Sequence, residues 1–454
     1  MKRFRHALVV IGLMALPWFG QAQPLTLEEA VEMALNADPR IHEQEANAQA
    51  ARALIDEVLG HGDVMFEINT FVGLAPRKSD GFFTNGRNRC VAGQDCVLRD
   101  DAYKLNGLSP SFGLQASIIK PLYTFGKIEN YYTAARYKHA VEESKIKLAR
   151  GETWLTVQRA WYGYLTARDT RALLDDLKKR LEGAQRFTEE GVNEGRLRLA
   201  DQFALDTAIA LVNRFIAQAE GVERIAMDGL KTIIGLPLSQ PLELAERHIR
   251  PVAHIEHDLD TLLTMALEGR PEMQMAEQGK IAMRAYVEAR RAESRPDIYA
   301  GVVAMGQYTP GRDRIKNPYL FDPLNYAAVT PVLGMRWQFQ SGVNRARVGQ
   351  AEAELEGVIA QAQLAQIGIP FQVAEAYHHA NSLKMQVEEL REGADAARRW
   401  MVSSFLDYEA GIIDASSLAD ALRTYATTRA EYLSAIFDYN MQIAMLRHAI
   451  GDYP

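Results

Sequence analysis

Cys90 and Cys96, in CVAGQDC, are the only cysteines and the pair whose spacing most directly invites chemistry. A close pair can form a disulfide or supply part of a metal site. A structural zinc site needs four ligands, and no further ligands cluster nearby. Other candidate ligands diverge. His378 and His379 are adjacent on a helical stretch and point in different directions, whereas chelation from a helix needs an i, i+4 pair. Met273 and Met275 stand two apart and also diverge, so they read as core filling. Trp154, Trp161, Tyr162 and Tyr164 share one helical run and read as packing between helices. No phosphate-binding Gly loop, nucleophile elbow or paired metal motif stands in the chain. The expectation is a protein of passage and not an enzyme, with no cofactor and no metal.

The N-terminal residues address the compartment. Lys2, Arg3 and Arg5 precede an apolar stretch, Ala7 to Leu16, that is too short to span a bilayer. Gly20-Gln21-Ala22 supplies the small residues of a cleavage site, so residues 1–22 read as a signal peptide. No Cys follows that site to carry a lipid. Export makes an oxidising compartment, and an even, closely spaced cysteine pair there predicts a Cys90–Cys96 disulfide. Removing the signal takes away three positive charges and no acidic one, moving the net charge from −7 to −10. An acidic chain of this kind argues against a nucleic-acid partner. No later stretch has the uninterrupted apolar length of a membrane helix.

The elements that position these residues repeat. NEGRLRLADQFALDTA (193–208) and EAGIIDASSLADALRT (409–424) place Gly195 and Gly411 between a long helical run and a fresh helix, at an offset of 216. The same offset pairs Gly126 with Gly342, Ala135 with Ala351, Ala160 with Ala376 and Gly235 with Gly451. Upstream it becomes 232, pairing MALNADPR (33–40) with MALEGRPE (265–272). The 16 extra residues then lie between about 60 and 115, around the cysteine loop. The chain reads as a tandem duplication with one repeat over 23–245 and another over 246–454.

Each repeat has the same order: a short helix, a second helix, a strand, a Gly/Asn/Asp-rich loop, a second strand, a long helix, a Gly turn and a returning helix. The strands are expected at about 64–73, 112–122, 297–308 and 332–340. Val64, Phe66, Ile68 and Val72 alternate with Glu67 and Asn69, and Leu333, Met335, Trp337 and Phe339 alternate with Gly334, Arg336 and Gln338. Period two fits a membrane barrel strand and equally a soluble hairpin covering a core. The long helices, about 127–190 and 343–408, lean the choice. Some 64 residues span on the order of 95 Å at about 1.5 Å each, the length of a coiled coil. The returning helices are expected at about 200–234 and 414–450. Gly195 and Gly411 suit the left-handed end of a helix, and Asp201 and Asp414 fall where a carboxylate favours a helix start. Four strands cannot close a membrane barrel, and an open edge in lipid leaves backbone groups unpaired. Bacterial barrels begin at eight strands, so strands must be pooled between chains; three chains give 12. Trp337, Tyr123, Tyr308 and Tyr319 fall at strand ends or nearby loops, where an aromatic girdle is expected.

The ensemble of LTLEEAVEMALNADPRI, PLYTFGKIE with its twin RWQFQSGVNRARVGQAEAE, the two Gly turns, IIGLPL and HAIGDYP resembles the outer-membrane efflux proteins, the TolC-like channels, over nearly the whole mature chain. The resemblance implies a mainly α fold with a membrane β-barrel portion: a long coiled-coil helical barrel plus four strands per chain, in a homotrimer with a 12-stranded barrel. It implies a bacterial outer-membrane location with helices in the periplasm, in contact with outer-membrane lipid. It also implies a tripartite efflux or type I secretion system, with a periplasmic adaptor and an inner-membrane transporter as partners. The family's adaptor contact maps onto Gly195, Arg196, Leu197, Gly411, Ile412 and Ile413. Its periplasmic gate maps onto Tyr408 and Asp420, with Ser417 at the outer carboxylate position, Ile413 where an Arg-like residue is usual, and Asp414 as an alternative gate carboxylate. The competing reading from another class is a soluble periplasmic coiled-coil scaffold or adaptor.

Overall fold

The computed structural model describes residues 24–77, 83–84, 95, 97–98, 107–312, 321–338 and 340–454. The expected signal peptide, Cys90 and Cys96 with the disulfide expected between them, Tyr319 and Phe339 lie outside the described residues.

The first repeat runs α1 (Leu27–Ala37), α2 (Pro39–Gly60), β1 (Met65–Pro76), β2 (Phe83–Thr84), β3 (Val97–Leu98), β4 (Leu108–Tyr123), α3 (Lys127–Asn193) and α4 (Leu199–Ile233). The second runs α5 (Leu259–Gly269), α6 (Pro271–Ala292), β5 (Asp297–Tyr308), β6 (Tyr326–Arg336), α7 (Ser341–Glu409) and α8 (Ala415–Ile450). Both ends of α1, α2 and β1 recur in α5, α6 and β5 at an offset of 232. The starts of α4 and α8 and the turn glycines recur at 216. The extra residues therefore fall in the β1–β4 connection.

Local chemistry explains these boundaries. Thr26 caps α1 through a reciprocal capping box with Glu29. Pro39 and Pro271 open α2 and α6, where a missing N–H costs nothing. Gly235 and Gly451 end α4 and α8 in left-handed conformation, φ +76° and +79°. Gly126 also has positive φ, whereas Gly342 lies inside α7 and does not, so that aligned pair is not equivalent in conformation.

The fourth strand departs from the expected 332–340. β6 begins earlier, at Tyr326, and stops at Arg336. The alternation of Trp337 and Phe339 continues the pattern in sequence, but β5 opens at Asp297 opposite Arg336 and has no residue left to pair. The Trp337 indole N–H instead donates to the Ser294 carbonyl at 3.0 Å.

The chain divides into two compact units. One joins the segment up to Ile41 with Ala149–Arg270 and Ile369–Pro454, and is helical. Its core follows a heptad. In α7, Val373, Ala380, Val387, Ala394, Met401 and Tyr408 are buried at intervals of seven, the spacing that keeps one seam of a helix against a partner. Near the two long turns, Leu181, Ala184, Leu205, Met401, Tyr408 and Leu418 belong to one buried cluster from α3, α4, α7 and α8. The other unit, His42–Leu148 and Pro271–Gly368, holds the sheet, whose order is β1-β4-β5-β6 with every pairing antiparallel. A separate two-stranded ladder pairs β2 with β3. No described helix is long and apolar enough to cross a membrane.

Candidate channel wall and turn sites

Register sorts the four-stranded sheet into two faces. One carries Phe66, Ile68, Val72 and Leu74 of β1, Phe112, Leu114 and Ile118 of β4, Val302 and Ala304 of β5, and Val329, Leu333 and Met335 of β6. Of these, every Phe, Ile, Leu, Val and Met side chain is solvent-exposed in the single chain. The opposite face is mixed: it carries Glu67, Asn69, Gln115, Ser117, Gln307 and Thr330, with Phe71, Tyr299 and Tyr326 and the apolar Ile119, Val303, Met305 and Val332 among them. Apart from Thr70 and Lys120 the first face is apolar across four strands, and among the described residues its large side chains stay uncovered, which is what lipid contact requires and what water penalises. Tyr123 and Trp337 stand at the helix side of the sheet, and Tyr308 at the other end, all exposed. β1 and β6 each keep one edge unpaired among the described residues.

The two long turns are built alike. Gly195 and Gly411 both have φ +72°. In the first, the Arg196 N–H donates to Gly191 O at 2.7 Å and the Gly195 N–H to Val192 O at 3.0 Å. In the second, Ile412 donates to Asp407 O at 2.8 Å and Gly411 to Tyr408 O at 3.0 Å. Each closes a helix with a six-to-one bond around a left-handed glycine. Arg196 pairs with Glu194. Leu197 folds back so that a Cβ on Gly191 would stand 2.6 Å from its Cδ1. Ile412 is 72% exposed, and Ile413 packs partly against the buried cluster.

The returning helices begin differently. Asp414 caps α8: its carboxylate accepts the Ser417 N–H at 2.9 Å, the Ser417 hydroxyl at 2.8 Å and the Ser416 hydroxyl at 2.9 Å. The Ser417 backbone N–H is the main reason its pKa is held down to about 2. The equivalent position of α4 is Arg198, which makes no side-chain cap. Arg198 instead pairs two-pronged with Asp201, at 3.0 and 2.8 Å. Asp201 is buried and, unlike Asp414, is a first-turn partner and not a cap. Ser417 and Asp420 are exposed, and Asp420 accepts from Arg423 at 3.1 Å.

Tyr408 is 1% exposed, inside the chain's own core. Its hydroxyl lies 2.5 Å from Thr188 Oγ1, and Thr188 in turn donates to Ala184 O at 2.7 Å. With the threonine proton so committed, Tyr408 is the donor. Burial raises its pKa. The bond ties α3 to α7, one long helix to its repeat.

Residues 262–452 match the family model described as outer membrane efflux protein. Over those residues, less than half of its length, the chain is similar to the outer membrane efflux proteins. Over 239 residues it is 26% identical to Protein CyaE of Bordetella pertussis, a match covering 51% of this chain and less than half, 46%, of that protein. The fold resembles the outer-membrane channel OprN, with TM-score 0.74 and 19% identity over 94% of this chain and 90% of that one. It also resembles the outer membrane protein VceC from Vibrio cholerae, with TM-score 0.73 and 14% identity over 94% and 96%. At these identities the likeness shows that the chain shares the fold of those outer-membrane proteins.

Sequence reasoning missed four residues of the turn region. Thr188 has no local signature, because its partner is 220 residues away. Arg198 could have been found as the position 216 before Asp414. Leu199 and Phe203 lie exposed at the opening of α4, and four-residue spacing of apolar residues was their only signal.

Proposed function

We propose that this chain is an outer membrane efflux protein with its helical part in the periplasm, the passive exit duct of a tripartite efflux or type I secretion system, assembled as a homotrimer. The observation that carries the reading is the open four-stranded sheet with one largely apolar face, broken only by Thr70 and Lys120. Three copies would pair the free edges of β1 and β6 between neighbours and give 12 strands, apolar outward and polar inward. Closure removes unpaired backbone groups that lipid would leave at several kcal/mol each. A soluble scaffold would leave the apolar face in water, and no described residue covers its large side chains.

The two glycine turns are proposed as the adaptor contact, through Gly195, Arg196, Leu197, Gly411, Ile412 and Ile413, with an inner-membrane transporter feeding the duct. Tyr408, Asp414, Ser417 and Asp420 are proposed as the periplasmic gate. Within it, Tyr408 is the latch between long helices, Asp414 and Ser417 shape the start of α8, and exposed Asp420 supplies lumen charge. Cys90 and Cys96 are proposed to close a disulfide in the outward connection. The test is assembly: an unboiled outer-membrane extract should run as an oligomer, with trimer mass by native mass spectrometry, and should conduct in planar bilayers. A monomer stable in membranes defeats the reading.

A further inference from the structure

The polar face of the sheet carries three aromatic rings, Phe71, Tyr299 and Tyr326, where a water-filled bore calls for small or polar residues, and the first two lie against a glycine across the ladder. Phe71 of β1 pairs directly across the ladder with Gly113 of β4. A Cβ built on Gly113 would stand 2.0 to 2.4 Å from three atoms of the Phe71 ring. Tyr299 of β5 pairs with Gly334 of β6, where a Cβ would meet the Tyr299 Cζ and Oη at 2.6 Å. Even a methyl group at either position would have to displace the ring. These glycines have no positive φ, so backbone conformation does not explain them. What they provide is room for a ring to lie against the wall, and a cross-strand aromatic over glycine also restores packing that the glycine lacks.

The two pairs are not repeat equivalents. The offset of 232 carries Phe71 to Val303 and Tyr299 back to Glu67. The device occurs twice at different depths. Gly113 pairs with Gln307, eight residues along β5 from Tyr299, a separation of roughly 27 Å at about 3.4 Å per residue. Tyr299 lies near the helix side of the sheet, and Phe71 lies toward the outward connections.

We infer that Gly113 and Gly334 set the bore of the barrel by allowing Phe71 and Tyr299 to lie flat, so that a trimer has two levels of three rings folded against its wall. This rests on the trimeric channel reading. A ring forced upright would project about a phenyl width into the lumen from each of three protomers. These four residues would then limit the size of the cargo that leaves.

The test is access from outside, which no periplasmic gate can obscure. Gln115, two ladder pairs deeper than Gly113 and exposed on the same polar face, serves as reporter in a Gln115→Cys variant that also carries Cys90→Ser and Cys96→Ser. Intact cells are treated with a size series of polyethylene-glycol maleimides. Added Gly113→Val should shift the size cut-off downward and slow labelling by the largest permitted reagent several-fold. Phe71→Ala with Gly113→Val should restore it, and Phe71→Ala alone should raise it. An unchanged cut-off in assembled Gly113→Val trimers overturns the inference, as does a restriction that survives Phe71→Ala. If Gly113→Val fails to assemble, Phe71→Ala alone decides: an unchanged cut-off overturns the inference. Failure of even the smallest maleimide to reach position 115 in the reporter background would refute the channel reading itself.

Discussion

Removing the Tyr408–Thr188 hydrogen bond should loosen the periplasmic end of the channel, by an amount that depends on which partner is removed. Tyr408→Phe deletes the donor and leaves Thr188 still bonded to Ala184 O. A neutral hydrogen bond is worth about 0.5–1.5 kcal/mol net. Thr188→Val deletes the acceptor and leaves the Tyr408 hydroxyl buried without a partner, which costs about 1–3 kcal/mol. The double variant removes both groups and should be closer to wild type than Thr188→Val alone. If three protomers open together, a loss of about 1 kcal/mol in each becomes about 3 kcal/mol, roughly a hundred-fold shift in the open-to-closed ratio. The assay is open probability of single channels in planar bilayers, with trimer melting temperature measured in parallel. Thr188→Val should open most, Tyr408→Phe less, and the double variant should sit below the sum of the singles. Additive singles, or open probability unchanged in all three, would refute the latch.

Replacing Gly195 or Gly411 with Val forces a β-branched residue into left-handed backbone at about 1–2 kcal/mol or more. Since a Cβ there meets open space, single-channel conductance should hold while export in cells falls; reduced conductance with normal export would reverse the assignment. Asp420→Ala should lower cation preference in bilayers and Arg423→Ala should raise it, because the two are paired in an exposed turn; if only Asp414→Ala changes selectivity, the charge ring lies nearer the start of α8. Asp38 is held down to about 2 from the usual 3.8, chiefly by Arg40 and helped by Thr153. A depressed carboxylate stabilises above 3.8 and loses that contribution as pH falls toward 2, so Asp38→Asn should be less stable near pH 7 and should show a flatter loss between about pH 4 and pH 2 in acid melts.

Much of the architecture was legible in local pattern. Period-two alternation marks the strands because successive side chains point to opposite faces whatever the partner. The turn glycines and helix-opening prolines act through their own backbone, so Gly195, Gly411, Pro39 and Pro271 announce themselves within a few residues. The buried heptad from Val373 to Tyr408 was also written in α7, and it explains why Tyr408 is inside the core. What the sequence could not decide is which residues meet when their separation along the chain is large. β6 stops at Arg336 because its partner β5 opens there, not because its own alternation ends. Thr188 found Tyr408, and Tyr299 found Gly334, only once strands and helices had taken their register. Asp201 and Asp414 looked alike as helix-start carboxylates, yet one became a buried ion-pair partner and the other an exposed cap. The arginine beside the first had no counterpart in the second, so the difference came from packing around each turn and not from the carboxylate itself.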